Sequence, residues 1–207
     1  TDFLLFVCNP DNGDKAFCSE AKGLVPISSD IFHFPPGSYW SSKNPDEFVS
    51  YHDRSVGLTD DSINEILYNV RKNLESAVQK RLTSDREIGC LLSGGLDSSL
   101  IAALVQKNMG GYHKGSDGRL NPSSRKKVKT FSIGMVGSPD LKYARRVAKW
   151  IGSDHHEVLL SADDFLSAIK DVIYRIESYD TTTVRASVGN YLVSKYISEN
   201  TDCKVVF

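Results

Sequence analysis

Residues 87–99 read Glu-Ile-Gly-Cys-Leu-Leu-Ser-Gly-Gly-Leu-Asp-Ser-Ser, and this stretch limits the fold more than any other in the chain. Ile88–Leu92 is an apolar run of strand length, and Ser98-Ser99-Leu100-Ile101-Ala102-Ala103-Leu104 opens a helical pattern. A strand that passes through so short a turn into a helix begins a β–α–β unit, which needs a parallel sheet covered by helices. Gly94 and Gly95 let the backbone come close to a ligand, and the free amides at the helix start point toward negative charge.

The turn residues specify the ligand further. Ser93 and Ser98 add hydroxyl donors, whereas Asp97 would repel phosphate unless it holds the magnesium ion that accompanies a nucleotide. The segment therefore predicts a site for ATP and Mg2+ built from Ser93, Gly94, Gly95, Asp97 and Ser98, with Asp97 as the metal ligand. It is not the common P-loop, because no lysine follows the glycines. Nor is it a nucleophile elbow, which needs glycine two residues before the serine, where Leu91 stands. A purely structural turn would not call for an aspartate flanked by serines.

The chain has 207 residues and 40% hydrophobic content, enough for one large or two small cores. Its net charge of −1 gives no electrostatic reason to expect nucleic acid, and Arg125-Lys126-Lys127 reads as a solvated loop. Cys8, Cys18, Cys90 and Cys203 lack Cys-x-x-Cys spacing, and the last three lie in or beside apolar runs; reduced thiols in a cytoplasmic protein fit best. No apolar run approaches a membrane span of ~20 residues, and Phe3-Leu4-Leu5-Phe6-Val7 follows no basic leader, so neither a membrane nor a targeting signal is expected.

Residues 1–52 are short β-type runs between turns: Phe3–Val7, the turn at 9–13, Ala16–Ser19, a short Glu20–Leu24 helix, and Ser38–Trp40 after Pro35-Pro36-Gly37. They read as the tail of a β-rich domain. Residues 53–61 form a linker, and Ser62 with Glu65 gives a capping-box signal for a helix. Ile63, Ile66, Leu67, Val70, Leu74, Ala77 and Val78 share one face of that helix, which opens a second domain at 62–207. There the pattern predicts strand Ile88–Leu92, helix Ser98–Met109, strand Val128–Ile133, helix Leu141–Ile151 closed by Gly152, strand Glu157–Leu160, helices Ala162–Glu177 and Val184–Ser198, and strand Lys204–Phe207. The fold class is α/β, a parallel sheet with helices on both faces. The glycine-rich stretch from Gly110 to Gly118 reads as a mobile surface loop, and Ser138-Pro139-Asp140 as the cap and start of a helix.

His155 and His156 are adjacent beside a strand, so their side chains point to opposite faces and cannot chelate one ion. His33, His52 and His113 show no metal-ligand spacing. Thr182, Thr183 and Arg185, beyond Asp180, offer hydroxyl and cationic groups to a developing oxyanion or phosphate; alternatively, Thr182 or Thr183 caps the following helix.

Ser-Gly-Gly-x-Asp-Ser is the pyrophosphate loop of the ATP pyrophosphatase, or PP-loop, group. Four segments narrow the likeness: 17–24 (Phe-Cys-Ser-Glu-Ala-Lys-Gly-Leu), Leu91 to Ser99, Thr130–Gly134 with Ser138–Leu141, and 177–187 (Glu-Ser-Tyr-Asp-Thr-Thr-Thr-Val-Arg-Ala-Ser). With these the chain resembles the glutamine-dependent asparagine synthetases over nearly its whole length, the stretch from about Gly110 to Lys127 excepted. The resemblance implies an adenine-nucleotide-hydrolase-like synthetase domain at 62–207, preceded by the C-terminal part of a glutaminase domain at 1–52. It implies amide formation from aspartate and glutamine-derived ammonia through β-aspartyl-AMP, with release of AMP and pyrophosphate, and a homodimer is compatible with it. By the same likeness Ser93, Gly94, Gly95, Asp97 and Ser98 hold phosphates and magnesium, Leu91 and Ile133 contact the nucleoside, and Arg185, Thr182 and Thr183 act in catalysis. Leu91 and Ile133 would otherwise be ordinary core residues. Asn190 matches a position near the adenine where the family more often has an apolar residue. The family's N-terminal cysteine nucleophile and second Ser-Gly-rich acidic loop have no counterpart in this sequence, so it is expected to be an internal piece of a longer enzyme. A β-lactam-synthetase-like amidotransferase and a non-catalytic nucleotide-binding module are the alternatives.

Overall fold

The computed structural model of the chain describes residues 4–9, 13–52, 55, 57–109, 112–114, 120–122 and 127–207. Turn residues 10–12, linker residues 53, 54 and 56, and the basic residues Arg125 and Lys126 lie outside the described residues. The chain forms two compact units, Thr1–Asp60 and Asp61–Phe207.

In the first unit, β1 (Leu5–Cys8) pairs antiparallel with β2 (Lys15–Cys18) and with β3 (Phe32–His33). A second antiparallel pair joins β4 (Ser38–Ser41) to β5 (Asn44–Ser50). Alternation along β1 sends Leu5 and Val7 to one face, where they pack on Leu24. Phe6 points the other way, against Phe17, Phe32, Phe34 and Phe48, and Trp40 lies against Phe17 with the ring centroids 5.1 Å apart and the planes tilted. The expected short helix at 20–24 is a 3-10 turn, Ala21–Gly23. Strands β3 and β5 were not expected. The two-residue β3 is too short to show alternation, and β5 carries Pro45, Asp46 and Glu47, which mask its β character.

The second unit opens with α1 (Ile63–Arg81), capped as expected by the reciprocal bonds of Ser62 and Glu65. Its apolar stripe is not uniformly covered. Leu74 and Val78 pack into the core, whereas Ile63, Leu67 and Val70 are exposed within the unit. Next come β6 (Glu87–Leu91) and α2 (Leu96–Met109), which starts two residues earlier than its periodicity suggests. Of the stretch from Gly110 to Gly118 expected as a mobile loop, only 112–114 are described; they form β7 (Tyr112–Lys114), which pairs antiparallel with β8 (Leu120–Pro122) beyond it, and the other residues of that stretch lie outside the described residues. The remaining elements are β9 (Lys129–Gly134), α3 (Pro139–Ile151), β10 (Asp154–Leu159), α4 (Ala162–Ser167), α5 (Ile169–Ile176), α6 (Thr181–Asn200) and β11 (Cys203–Val206). Gly152 closes α3 in a left-handed conformation. The single helix expected over 162–177 is two helices, with Ala168 the junction.

Strands β10, β9, β6 and β11 lie side by side in that order, all parallel. Successive β–α–β steps run outward from β6 to β10, and the chain then crosses back to place β11 on the other side of β6. The switch point therefore falls between β6 and β11, where a doubly wound sheet opens a crevice at the carboxyl ends of its strands. Helices cover both faces. Ile88, Cys90 and Leu92 face α1, α2 and α3 through Val78, Ala102, Val105, Ala144 and Ala148. Phe131, with Leu91 and Ile133, faces Val193 and Ile197 of α6. Cys203 points to the α6 face while Val205 and Phe207 point to the other, although all three are odd-numbered; a bulge between Cys203 and Val205 shifts the register. All four cysteines are free thiols, Cys90 and Cys203 buried and Cys8 and Cys18 partly so. Among the described residues no helix is long and apolar enough to cross a membrane.

Candidate functional site

Strand β6 delivers residues 93–95 to the switch point, and α2 begins at once. The loop is organised by its own hydroxyls. Ser93 Oγ lies 2.9 Å from Ser98 Oγ, the Gly95 amide donates to Ser93 Oγ at 3.3 Å, and Ser99 Oγ donates to the Gly95 carbonyl at 2.6 Å. The first helical bond runs from the Ser99 amide to that same carbonyl. The amides of Leu96, Asp97 and Ser98 thus precede the helical ladder, at the positive end of a 14-residue helix. Ser93, Gly95 and Asp97 are exposed beside them. This is an anion-binding geometry made of backbone and hydroxyl donors.

The two glycines differ in what they require. Gly94 has φ +83°, and a Cβ there would sit 2.5 Å from the Ala144 nitrogen and 2.6 Å from the Tyr143 Cβ. Its missing side chain lets the loop rest on the backbone of α3, a role that a reading based on ligand approach alone does not supply. Gly95 has an ordinary φ, and its Cβ would meet only Ser93 Oγ, at 3.3 Å.

Leu91 and Ile133 lie on the α6 face and pack against the cluster of Phe131, Val158, Val193 and Ile197. Helical spacing puts Asn190 one turn before Val193 on the same stripe of α6, and its side chain is exposed. These three residues share one face of the sheet edge. Arg185, Thr182 and Thr183 are exposed in the first turns of α6, which starts at Thr181, three residues before the expected Val184. Neither threonine is the cap. Asp180 is, accepting from the Thr183 amide and from Thr183 Oγ1, each at 2.7 Å. These bonds hold the Asp180 carboxyl below its ordinary value. Arg185 borders a largely apolar groove of about 520 Å³ with Phe165, Leu166, Ile169, Tyr179 and Thr181. That groove is lined by α4, α5 and the start of α6, not by the phosphate loop.

A polar network under α3 was not anticipated. Thr130, fully buried, lies 2.8 Å from Ser153 Oγ and 2.9 Å from His155 Nδ1, and His155 Nε2 lies 3.3 Å from Ser132 Oγ. Glu157 follows on the same face of β10 and receives a bidentate pair from Arg145 of α3, Nε to Oε1 at 2.8 Å and Nη2 to Oε2 at 2.7 Å. The only trace in the sequence is the His-x-Glu alternation, which places His155 and Glu157 on one face. His156 points the opposite way and stacks on Phe131 at 5.2 Å, as adjacent strand residues must. Ser138 occupies the N-cap of α3 with Pro139 after it, but its hydroxyl makes no capping bond.

Among the described residues there is no cluster of three or more His, Cys, Asp or Glu suited to a metal ion. Mg2+ does not need one when a nucleotide is present: it keeps waters and takes one or two carboxylates plus substrate phosphates. Asp97, an exposed carboxylate beside phosphate-ready amides, fits that donor set.

The chain matches the asparagine synthase family over residues 69–207. It is 43% identical over 228 residues to the glutamine-hydrolyzing asparagine synthetase of Cricetulus griseus and 41% identical to that of Homo sapiens, with 98% of this chain covered in each case. It spans 39% of the length of these relatives. Among solved structures, an NH3-dependent NAD synthetase from Campylobacter jejuni aligns with TM-score 0.40 and 14% identity over 66% of this chain and 53% of that one. A glutamine-dependent NAD+ synthetase from Acinetobacter baumannii, in complex with ADP, aligns with TM-score 0.40 and 14% identity over 84% of this chain and 29% of that one. At these scores neither structural likeness adds to the assignment.

Proposed function

The chain belongs to the asparagine synthase family, and on that premise we propose that it carries the ATP-binding part of an AMP-forming amide ligase that makes asparagine from aspartate and glutamine-derived ammonia. One observation carries the reading: the Ser93–Ser98 loop, with its amides and hydroxyls, stands at the switch point of a parallel sheet. A carboxylate is a poor acyl donor because oxide is a poor leaving group. In the proposed reaction an oxygen of the aspartate side chain attacks the α-phosphorus of ATP, the bond to the β-phosphate breaks, and pyrophosphate leaves. Ammonia then attacks the acyl carbon, loses a proton, and AMP departs with the bridging oxygen.

Ser93, Gly95, Ser98 and the first amides of α2 hold the leaving pyrophosphate in this account, and Gly94 sets the loop's position. Asp97 holds Mg2+, which neutralises phosphate charge when bound. Leu91, Ile133 and Asn190 border the nucleoside, the first two with apolar surface. Arg185, with Thr182 and Thr183, serves the acyl side, where charge develops on oxygen. Residues 1–52 are proposed as the C-terminal part of a glutaminase domain that supplies ammonia. The experiment is pyrophosphate release by the complete protein with aspartate present or omitted. Release should depend on aspartate, and Asp97→Asn should abolish most of it with little change in melting temperature, since an exposed loop carboxylate supports no core. Aspartate-independent release, or full activity in Asp97→Asn, contradicts the assignment.

A further inference from the structure

We propose that Arg145, Glu157 and His155 are positioning residues for the phosphate loop, holding α3 at the depth on which Gly94 rests. The proposal deepens the ATP-site reading and depends on it. The loop's hydroxyl bonds are internal, joining Ser93, Gly95, Ser98 and Ser99 to one another. Its support from outside comes where Gly94 meets the backbone of Tyr143 and Ala144. A shift of α3 by a few tenths of an ångström therefore moves the loop.

Helix α3 presents Leu141, Ala144 and Ala148 to the sheet. The two alanines permit close approach but interlock little, and packed helices slide by small shear steps where nothing opposes them. Arg145 adjoins Ala144 and ties the helix to Glu157 of β10 by two parallel bonds, at 2.8 and 2.7 Å, which fix direction as well as distance. Glu157 is itself backed by His155, whose Nε2 lies 3.7 Å from Oε1 and whose ring is bonded to Thr130 and Ser132 of β9. The line runs from the sheet through His155, Glu157 and Arg145 to the seat of Gly94. None of the three residues belongs to the loop.

Exposure decides how to test this. The Arg145 side chain is 65% exposed and that of Glu157 20%, so the pair adds little to global stability, as surface pairs generally do. A positioning role should appear in ATP affinity instead. In the complete protein, calorimetric titration with MgATP should give Kd values about three- to tenfold higher for Arg145→Ala and for Glu157→Gln, and the double variant should be no weaker than either single one, because both break the same link. Arg145→Lys should fall between Arg145→Ala and the unsubstituted protein. Arg71→Ala, which breaks an exposed pair with Glu75 on α1, is the control and should bind as the unsubstituted protein does. If Arg145→Ala and Glu157→Gln bind MgATP with unchanged Kd, even with lowered melting temperatures, the positioning role is wrong while the ATP site stands. If the unsubstituted protein binds no MgATP, the ATP-site reading fails and the positioning role falls with it.

Discussion

A methyl group added at Gly94 would lie 2.5 Å from the Ala144 nitrogen on a backbone at φ +83°, whereas one added at Gly95 would meet only a rotatable hydroxyl at 3.3 Å. Gly94→Ala should therefore destabilise the fold by about 1–3 kcal/mol, since backbone of α3 cannot swing aside and the left-handed conformation disfavours a side chain. Gly95→Ala should stay within about 0.5 kcal/mol of the parent in denaturant unfolding and still weaken MgATP binding. Equal unfolding midpoints for the two variants would show that Gly94 is not seated on α3. The acid response also belongs to single residues. Burial pushes the His155 imidazole below its ordinary 6.5, outweighing the opposing pull of Glu157. The unfolded chain then binds more protons than the folded one between the folded value and 6.5, so stability rises with pH across that window and is lost as pH falls. Glu157, held below its ordinary 4.5 chiefly by Arg145, contributes stability above that value and loses it only in stronger acid. Urea midpoints measured from about pH 7.5 to about pH 5 should fall, and in His155→Gln they should fall less; parallel curves would refute the His155 contribution.

Elements were legible where local chemistry and burial agree. Strand β6 and helix α2 follow from an apolar run, glycines and a helical pattern, and α3 ends where Gly152 says it should. Helices α4 and α5 looked like one because Phe165, Ile169, Val172 and Ile176 keep helical spacing across Ala168 and all pack toward Val188 of α6. The junction breaks the backbone without breaking that stripe. Strand β5 was hidden because Lys15, Trp40 and the aromatic face stabilise it from elsewhere in the chain: Lys15 Nζ and Trp40 Nε1 both donate to the Pro45 carbonyl, at 2.6 and 3.0 Å. The Arg145–Glu157 link was illegible for the same reason, since its partners meet only once α3 folds over β10. The start of α6 was misplaced because Asp180 caps it, leaving Thr182 and Thr183 inside the helix. Freed from capping with its side chain, Thr182 lies on the stripe of α6 that leads to Val193, while Arg185 lies toward α4 and α5. If Arg185 stabilises charge that develops during reaction, Arg185→Ala in the complete protein should lower kcat by roughly a hundredfold with KM nearly unchanged, and Arg185→Lys should also be impaired, because lysine keeps the charge but lacks the planar fork. A near-native kcat with only a lower melting temperature would make Arg185 a structural residue of the groove.

At the scale of the molecule, the order β10-β9-β6-β11 puts the Ser93–Ser98 loop at the switch point of the sheet. The winding direction changes between β6 and β11, the place where doubly wound sheets take their ligands, and there β6 ends and α2 begins. Alternation and turn chemistry forecast a parallel sheet, but they do not rank its strands, so the switch point beside β6 emerges only from the strand order in the structure. In the proposed reaction the aspartate side chain becomes bonded to AMP before nitrogen arrives. The direct measurement is oxygen transfer: the complete protein is given aspartate labelled with 18O in its side-chain carboxylate, together with ATP, Mg2+ and ammonia, and the nucleotide product is analysed by mass spectrometry. An aspartyl-AMP intermediate predicts AMP carrying one labelled oxygen for each asparagine formed. Unlabelled AMP, or label recovered in inorganic phosphate beside ADP, would contradict it.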